Sequence, residues 1–332
     1  MTPGLRRIVP PLTGAAVLAV VLWRTGTGPV AAGLRALDGE TVVLGLLLAF
    51  FTTVANAWRW QLVARGLRVE VALWTAVASY YRSQFLNATL PGGVLGDVHR
   101  GLHHGRAAGA TGRGLRAVAW ERFAGQVVQA ALVLLALLLL PSPVRGYLPE
   151  VALVLVAGSV GAWALWRSTR AHVPPPPRLL RAVAADVRRG LLPRDTWPGI
   201  VLASSAAVVG YVATYLLAAR AVGVPASAEH VVPLVLLVLL AAGLPFNVAG
   251  WGPREGVAAW SFGAAGLGAT DGVATSVAYG ALMLIGTLPG AIVLALGMRR
   301  PVRPPEPAPA TPPLPAASAA GSTVGSTGEA RA

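Results

Sequence analysis

The sequence predicts an all-α, polytopic integral membrane protein, and three observations carry that prediction. Hydrophobic residues make up 55% of the 332 and charged residues only 12%, against about 25% charged in a typical soluble domain. Apolar runs near or above the roughly 20 residues that carry a helix across a bilayer recur along most of the chain, leaving no room for a separate soluble domain of about 100 residues. Two of these runs are interrupted at matching places by polar breaks rich in Gly and Pro. The expected architecture is about six spanning helices plus two re-entrant helical hairpins in an inverted repeat.

Taken in order, spans are predicted at about 8–24, 41–65, 113–140, 148–167, 196–220 and 270–298, each an apolar run bounded by Arg, Gly or Pro. The first follows Arg6 and Arg7 and precedes "VAA" at 30–32, so it reads either as an uncleaved span, the simpler reading, or as a signal peptide. The run 71–90 breaks at "PGG" and resumes as a polar helix to 106; the run 231–244 breaks at "PFNVAGWGP" and resumes over 254–267. Between the halves 1–167 and 196–300, the linker 168–195 combines "PPPP" with "RLLRAVAADVRR", which predicts a stiff turn and a short basic amphipathic helix on the inner surface. The stretch 301–332, rich in Pro and Ala, is expected to be disordered.

The net charge of +14 comes entirely from Arg, because the chain contains no Lys. These arginines sit in short links between apolar runs, where positive charge sets topology and meets anionic lipid headgroups; nucleic acid is not an expected partner. Arg59, Arg65 and Arg68 precede the first broken run, and Arg100, Arg106, Arg113 and Arg116 follow it. With both flanks cytoplasmic, that segment is a hairpin entering from the cytoplasm. The second, beginning after Arg220 and Glu229, enters from outside. Both termini are then cytoplasmic, in a protein integral to the cell membrane. The absence of Cys excludes disulfides, haem-thiolate and iron–sulfur ligation. No nucleotide-binding, dinucleotide, nucleophile-elbow or zinc signature is present, so neither a cofactor nor a metal is expected.

Irregular backbone survives at membrane depth only when it is buried in protein or lines a wet cavity, and paired breaks in the two halves of a transporter mark its substrate site. The candidate binding residues therefore lie at the breaks. In the first, Gly93 and Gly96 let backbone amides approach an anionic group, and Asp97 and Arg100 stand at i, i+3, either as a solvated juxtamembrane pair or as a headgroup contact. In the second, Arg254 and Glu255 follow Gly252 at a helix N-terminus, where free N–H groups attract anions; the alternative is an ion pair locking the two arms together. Trp251 lies inside that break and either lines the cavity or is an interfacial anchor. Glu121 and Arg122, on the helix after the first hairpin, are placed to face Arg100, unless that helix begins later and leaves them at the interface. His99 and His103 have the spacing of metal-binding helices but lack a completing carboxylate, while His104 and Arg106 suggest a basic surface for anionic lipid at the cytoplasmic face. Trp58, Trp60, Trp74, Trp163, Trp166 and Trp197 read as interfacial anchors.

Together "NATLPGGVLGDVHR" at 87–100, "ERFAG" at 121–125 and "NVAGWGPREG" at 247–256 resemble the transmembrane region of lysylphosphatidylglycerol synthases, the flippase-like domain. The resemblance covers about 8–298. It implies a polytopic module that moves aminoacylated phospholipids or other lipid-linked head groups between leaflets, without the aminoacyltransferase domain of full-length relatives. Residue by residue, it places Asn87, Pro91, Gly93, Gly96, Asp97 and Arg100 in the first motif, Glu121 and Arg122 in the second, and Asn247, Gly250, Gly252, Arg254 and Glu255 in the third. The expected function is lipid translocation rather than catalysis. Two alternatives stay open: an integral-membrane glycosyltransferase acting on polyprenyl-phosphate sugars, with Asp38 and Glu40 as its acidic pair, and a non-catalytic membrane subunit of a separate lipid-modifying synthase.

Overall fold

The structure, a computed structural model, describes residues 16–90, 93–140, 146, 177–243 and 251–298. The span expected at 148–167, the tail 301–332 and three candidate site residues, Pro91, Asn247 and Gly250, lie outside the described residues. Every described element is a helix. In chain order these are α1 (Ala16–Thr25), α2 (Gly28–Arg35), α3 (Gly39–Gly66), α4 (Leu73–Thr89), α5 (Leu95–Ala107) and α6 (Thr111–Leu139). They are followed by α7 (Pro177–Gly190), α8 (Trp197–Val222), α9 (Ala228–Ala242), α10 (Pro253–Ala264), α11 (Ala269–Thr287) and α12 (Pro289–Met298).

Four of the expected spans are present within a few residues of their predicted limits: α3, α6, α8, and α11 continued by α12. The first expected span differs. After α1 the chain turns by 92° into α2, pivoting at Gly26, whose φ of 74° is open to glycine without steric cost. The turn brings α2 onto α11, where Gly33 packs directly against the Ala274 backbone. Apolar side chains on the outer faces of the spans, such as Leu47, Phe50, Leu138 and Leu139, are exposed, as a lipid-facing surface requires.

Both broken runs form helical hairpins. α4 and α5 run antiparallel: Ser79 bonds His104 at 2.8 Å, Ser83 bonds Asp97 at 3.0 Å, and the Gly96 amide donates to Asn87 at 2.8 Å. The base of the hairpin lies at the end of α3, where Gln61 donates to the Val71 carbonyl at 2.9 Å. Its descending arm reaches the middle of α3, where Thr53 donates to Gln84 at 3.2 Å. Since α4 continues to Thr89, the hairpin extends past the middle of α3. α9 and α10 pair in the same manner, and Pro225, Ala226, Ser227, His230, Ala265 and Leu267 bound a shallow pocket at their common base.

Helix directions follow from the packed pairs. Gly199 meets Leu62, Arg59 reaches Ser204 and Gly210 meets Thr52, so α3 and α8 are antiparallel. Gly45 meets Leu282 and Gly286 meets Ala49, so α3 and α11 are parallel. Span, hairpin, span thus occurs once as α3, α4–α5, α6 and again as α8, α9–α10, α11, with the leading spans pointing in opposite directions.

Small residues set the closest contacts, as expected where lipid removes the hydrophobic drive for helix pairing. A Cβ on Gly114 of α6 would stand 2.6 Å from the Gly105 Cα of α5. The predicted linker helix is α7; its Asp186 accepts from Arg116 at 2.6 Å and from the Trp120 indole at 3.3 Å, docking it on α6. At the opposite end of α3, Asp38 caps the helix by accepting the Thr41 amide at 2.8 Å, and that bond holds its carboxyl below the ordinary aspartate value.

Gly114→Val should separate α5 from α6 and destabilise the protein by about 1–3 kcal/mol, seen as a lower unfolding temperature in detergent. At Gly112 the nearest atom to an added Cβ is Arg116 Nη1 at 3.6 Å, so Gly112→Val should change little.

Candidate functional site

Two buried charge clusters sit where the returning arms of the hairpins meet the spans. In the first, α5 brings Asp97 and Arg100 against Glu121 and Arg122 of α6, and α3 adds Arg59. Glu121 stands ten residues inside α6, about 15 Å along the axis at ~1.5 Å per residue, well away from the start of the helix. Glu121 and Arg100 are both 0% exposed. The two oxygens of Glu121 divide the cations: Oε1 accepts from Arg59 Nε at 2.9 Å, while Oε2 accepts from Arg100 Nη2 at 3.1 Å. Asp97 accepts from Ser83, from Asn87 at 2.9 Å and from Arg100 at 3.1 Å, and it also pairs with Arg122. Three guanidiniums face two carboxylates, leaving an excess of one positive charge.

The reasons for this arrangement are local. α5 has no side-chain cap of its own at Val94, and the Asn87 carboxamide supplies one from across the break by accepting the Gly96 amide. Gly96 is required because a Cβ there would strike the Ser83 backbone. Arg100 is then pressed between two rings, its guanidinium 4.4 Å from the Trp60 centroid and 4.2 Å from that of Tyr80, a position that suits its planar, weakly hydrated cation. Its Nε and Nη1 have no hydrogen-bond partner among the described residues.

The second cluster repeats the plan. Gly252, with φ of 118°, precedes α10, and its amide donates to Glu255 Oε2 at 2.7 Å, one half of a capping box. Arg254 donates to Glu255 Oε1 at 2.8 Å and to Ser276 of α11 at 3.1 Å, and Ser276 donates to the same Glu255 oxygen at 3.0 Å. The Arg254 guanidinium lies 4.8 Å from the Trp251 ring centroid and 5.4 Å from that of Tyr279. Each returning arm thus carries an Arg held by a Glu, a Trp and a Tyr. Through Ser276, the Arg254–Glu255 pair ties α10 to α11.

α8 connects the two clusters. Ser204 receives Arg59 at 3.4 Å, Tyr211 receives Asn56 at 2.8 Å, and the Tyr215 ring lies 5.1 Å from Tyr279. The spacing of 204, 211 and 215 puts all three on one face of α8, over about 16 Å of helix. The hairpins also approach each other on α6. Arg122 binds the first, and Gln126, one turn on, donates to the Gly243 carbonyl at the end of α9 at 3.3 Å. Arg122, Gln126 and the half-buried Gln129 form a polar stripe in mid-span, and the Arg122 side chain is 50% exposed.

Of the residues singled out from sequence, the structure brings Asn87, Gly96, Asp97, Arg100, Glu121 and Arg122 together, and separately Trp251, Gly252, Arg254 and Glu255. Gly93, with φ of 61°, turns the chain at the first break. Several expectations are corrected. Asp97 and Arg100 are no solvated pair but buried. Arg59 is no cytoplasmic flanking charge: it is 8% exposed and paired with Glu121. Trp60 is no interfacial anchor, since it is 1% exposed and covers Arg100; Trp74 and Trp197, at helix starts, are exposed as anchors should be. His104 does not belong to the basic surface, being buried against Ser79 and Trp60. Sequence reading missed Arg59, Tyr80, Ser83, Ser276 and Tyr279. For Arg59 there was a signal, a charge inside an apolar run rather than beyond its end.

The family described as "Lysylphosphatidylglycerol synthase TM region" matches residues 8–290. Among curated proteins, none matches the chain.

Breaking one partner of a buried pair leaves an uncompensated charge, so Glu121→Gln should cost about 3–5 kcal/mol of stability. Arg122→Gln should cost less, because its side chain is half exposed and Asp97 keeps Ser83, Asn87 and Arg100. Unfolding temperatures in detergent measure this order; its reversal would remove Glu121 from the centre of the cluster.

Proposed function

Because this chain belongs to the lysylphosphatidylglycerol synthase TM region family, we propose that this multi-pass membrane protein moves a phospholipid or lipid-linked head group between leaflets. The observation that carries the reading is the pair of buried Arg–Glu clusters on opposed hairpins, joined at mid-depth by the polar stripe of α6. An isolated charge at the bilayer centre costs at least about 2.5–3.5 kcal/mol on insertion scales, and intramembrane ionisable groups are rare unless they line a functional path. Here every carboxylate is paired with an arginine at rest, and the first cluster keeps one positive charge in excess. A phosphate entering beside Arg122 exchanges with Asp97 as the partner of that guanidinium, so the headgroup crosses from one set of ion pairs to another while its chains stay in lipid. The excess positive charge of the first cluster favours an anionic group there.

Two opposed hairpins also supply the symmetry that alternating access uses, with one repeat rocking against the other about a central site. In this reading α4–α5 enters from the cytoplasmic side and α9–α10 from outside. For the glycosyltransferase alternative, Asp38 already has a structural task, since one oxygen of its carboxylate caps α3.

Reconstituted into vesicles with fluorescent lipids, the wild type should exchange them between leaflets. Arg122→Gln and Arg254→Ala should each slow exchange about tenfold or more, the loss of one charge-assisted contact; wild-type rates in both would overturn the proposal. The natural absence of Cys makes topology accessible. A membrane-impermeant maleimide should label Arg106→Cys only from the cytoplasmic side and His230→Cys only from outside, and labelling of both from one side would defeat the opposed entry of the hairpins.

A further inference from the structure

The two clusters are built alike but do not carry the same charge. Beside α10, Arg254 and Glu255 balance one another. Around α6, Arg59, Arg100 and Arg122 meet only Glu121 and Asp97, so one positive charge is left over. Among the described residues no further carboxylate pairs with these arginines, since the remaining ion pairs join Arg116 to Asp186 and His230 to Glu229.

This charge is held inside the spans. α3 and α6 are each long and apolar enough to cross a membrane. Glu121 stands ten residues into α6 and Arg59 seven residues before the end of α3, each about 10 Å or more from the nearer end of its helix at ~1.5 Å per residue. Arg100 and Glu121 are wholly buried. Charges so placed lie within the fall of electrical potential across a bilayer. One elementary charge carried through all of it changes an equilibrium roughly fiftyfold per 100 mV, and through half of it roughly sevenfold. Arg82 of α4 takes part in none of the cluster's ion pairs and contributes the same background to every comparison below.

We infer that the first cluster makes the translocator voltage-sensitive: its excess charge draws the empty site to the negative side of the membrane, and a headgroup with one negative charge cancels that pull. The inference rests on the translocation reading and gives it a direction. With the cell interior negative, the empty site faces the cytoplasm, loads there, crosses outward as a neutral complex and is drawn back once unloaded. Singly anionic headgroups are therefore driven from the inner to the outer leaflet. The sign of the charge alone sets this direction, whichever side each hairpin enters from. A zwitterionic headgroup leaves the site charged in both directions and gains no net drive.

The test is the transient charge movement of the full chain in a planar phosphatidylcholine bilayer, recorded on voltage steps. The wild type should move roughly half to one elementary charge per chain, equal and opposite on return. A positive charge is displaced along the field in every molecule, so mixed insertion does not cancel the signal. Two variants remove the excess by different routes: Arg122→Gln deletes a cation, and Gln126→Glu sets a carboxylate one helical turn from Arg122. Each should lose most of the transient, while Arg65→Gln, exposed at the end of α3, should keep it. Phosphatidylglycerol added to the bilayer should shrink the wild-type transient, because the loaded site is neutral. No transient in the wild type, a full transient in both neutralised variants, or one that phosphatidylglycerol leaves unchanged would overturn the inference. Should one variant not fold, the other and the phosphatidylglycerol titration decide. Leaflet exchange in vesicles held without a potential tests the translocation reading by itself: exchange without a transient removes only the voltage inference, and a transient without exchange removes the reading on which it rests.

Discussion

Glu121 is the pivot of this structure. A carboxylate wholly removed from water on a spanning helix has to be neutralised within the protein, and it is neutralised by two guanidiniums from different elements, Arg59 of α3 and Arg100 of α5. Arg100 can reach it only if the chain re-enters the bilayer and returns, since a continuous span after α4 would carry position 100 away from α6. The ion pair therefore requires the hairpin, whose Arg100 is shared between Glu121 and Asp97 while Asp97 also pairs with Arg122 of α6. Pairing of this kind is costly to break from one side even where its net contribution to stability is small. Its value here is in specifying which helices meet.

The breaks that make the hairpins are held by side chains, because lipid offers nothing to an unsatisfied amide. Asn87 reaches across the first break to the Gly96 amide and uses its other end to orient Asp97. In the second, Glu255 reaches back to the Gly252 amide while its other oxygen holds Arg254 and Ser276. One polar side chain in each hairpin thus performs two tasks, closing a helix end and binding a charged group of the cluster. This coupling links backbone to function: a change in the ion pairs is felt at the helix terminus, and the reverse.

Between the clusters, α8 carries a face of Ser204, Tyr211 and Tyr215 whose hydroxyls and rings touch both halves. A Trp and a Tyr ring lie close to each of the Arg100 and Arg254 guanidiniums and attract the cation through their faces. On α6, Arg122, Gln126 and Gln129 form a polar stripe that is open on its outer side. Buried pairs thus lie behind a half-exposed arginine on the outer side of the cluster.

The helical class, four of the spans, both hairpins and the linker helix are legible in the sequence, because in lipid every backbone group must be satisfied internally and apolar length translates directly into crossing helices. The break residues were legible too, since Gly, Pro and paired charges within an apolar run have few other uses. What the sequence leaves open is which charges meet. Arg59 and Trp60 stand near the end of an apolar run and read as flanking charge and interfacial anchor, whereas packing of α3 against α6 and α8 turns both inward onto Glu121 and Arg100. His99, His103 and His104 look alike in sequence, and only the helical phase of α5 against α4 sends two outward and one inward. Spacing along a chain determines which side chains share a helix face; whether that face meets lipid, water or another helix is decided by close packing between elements distant in sequence.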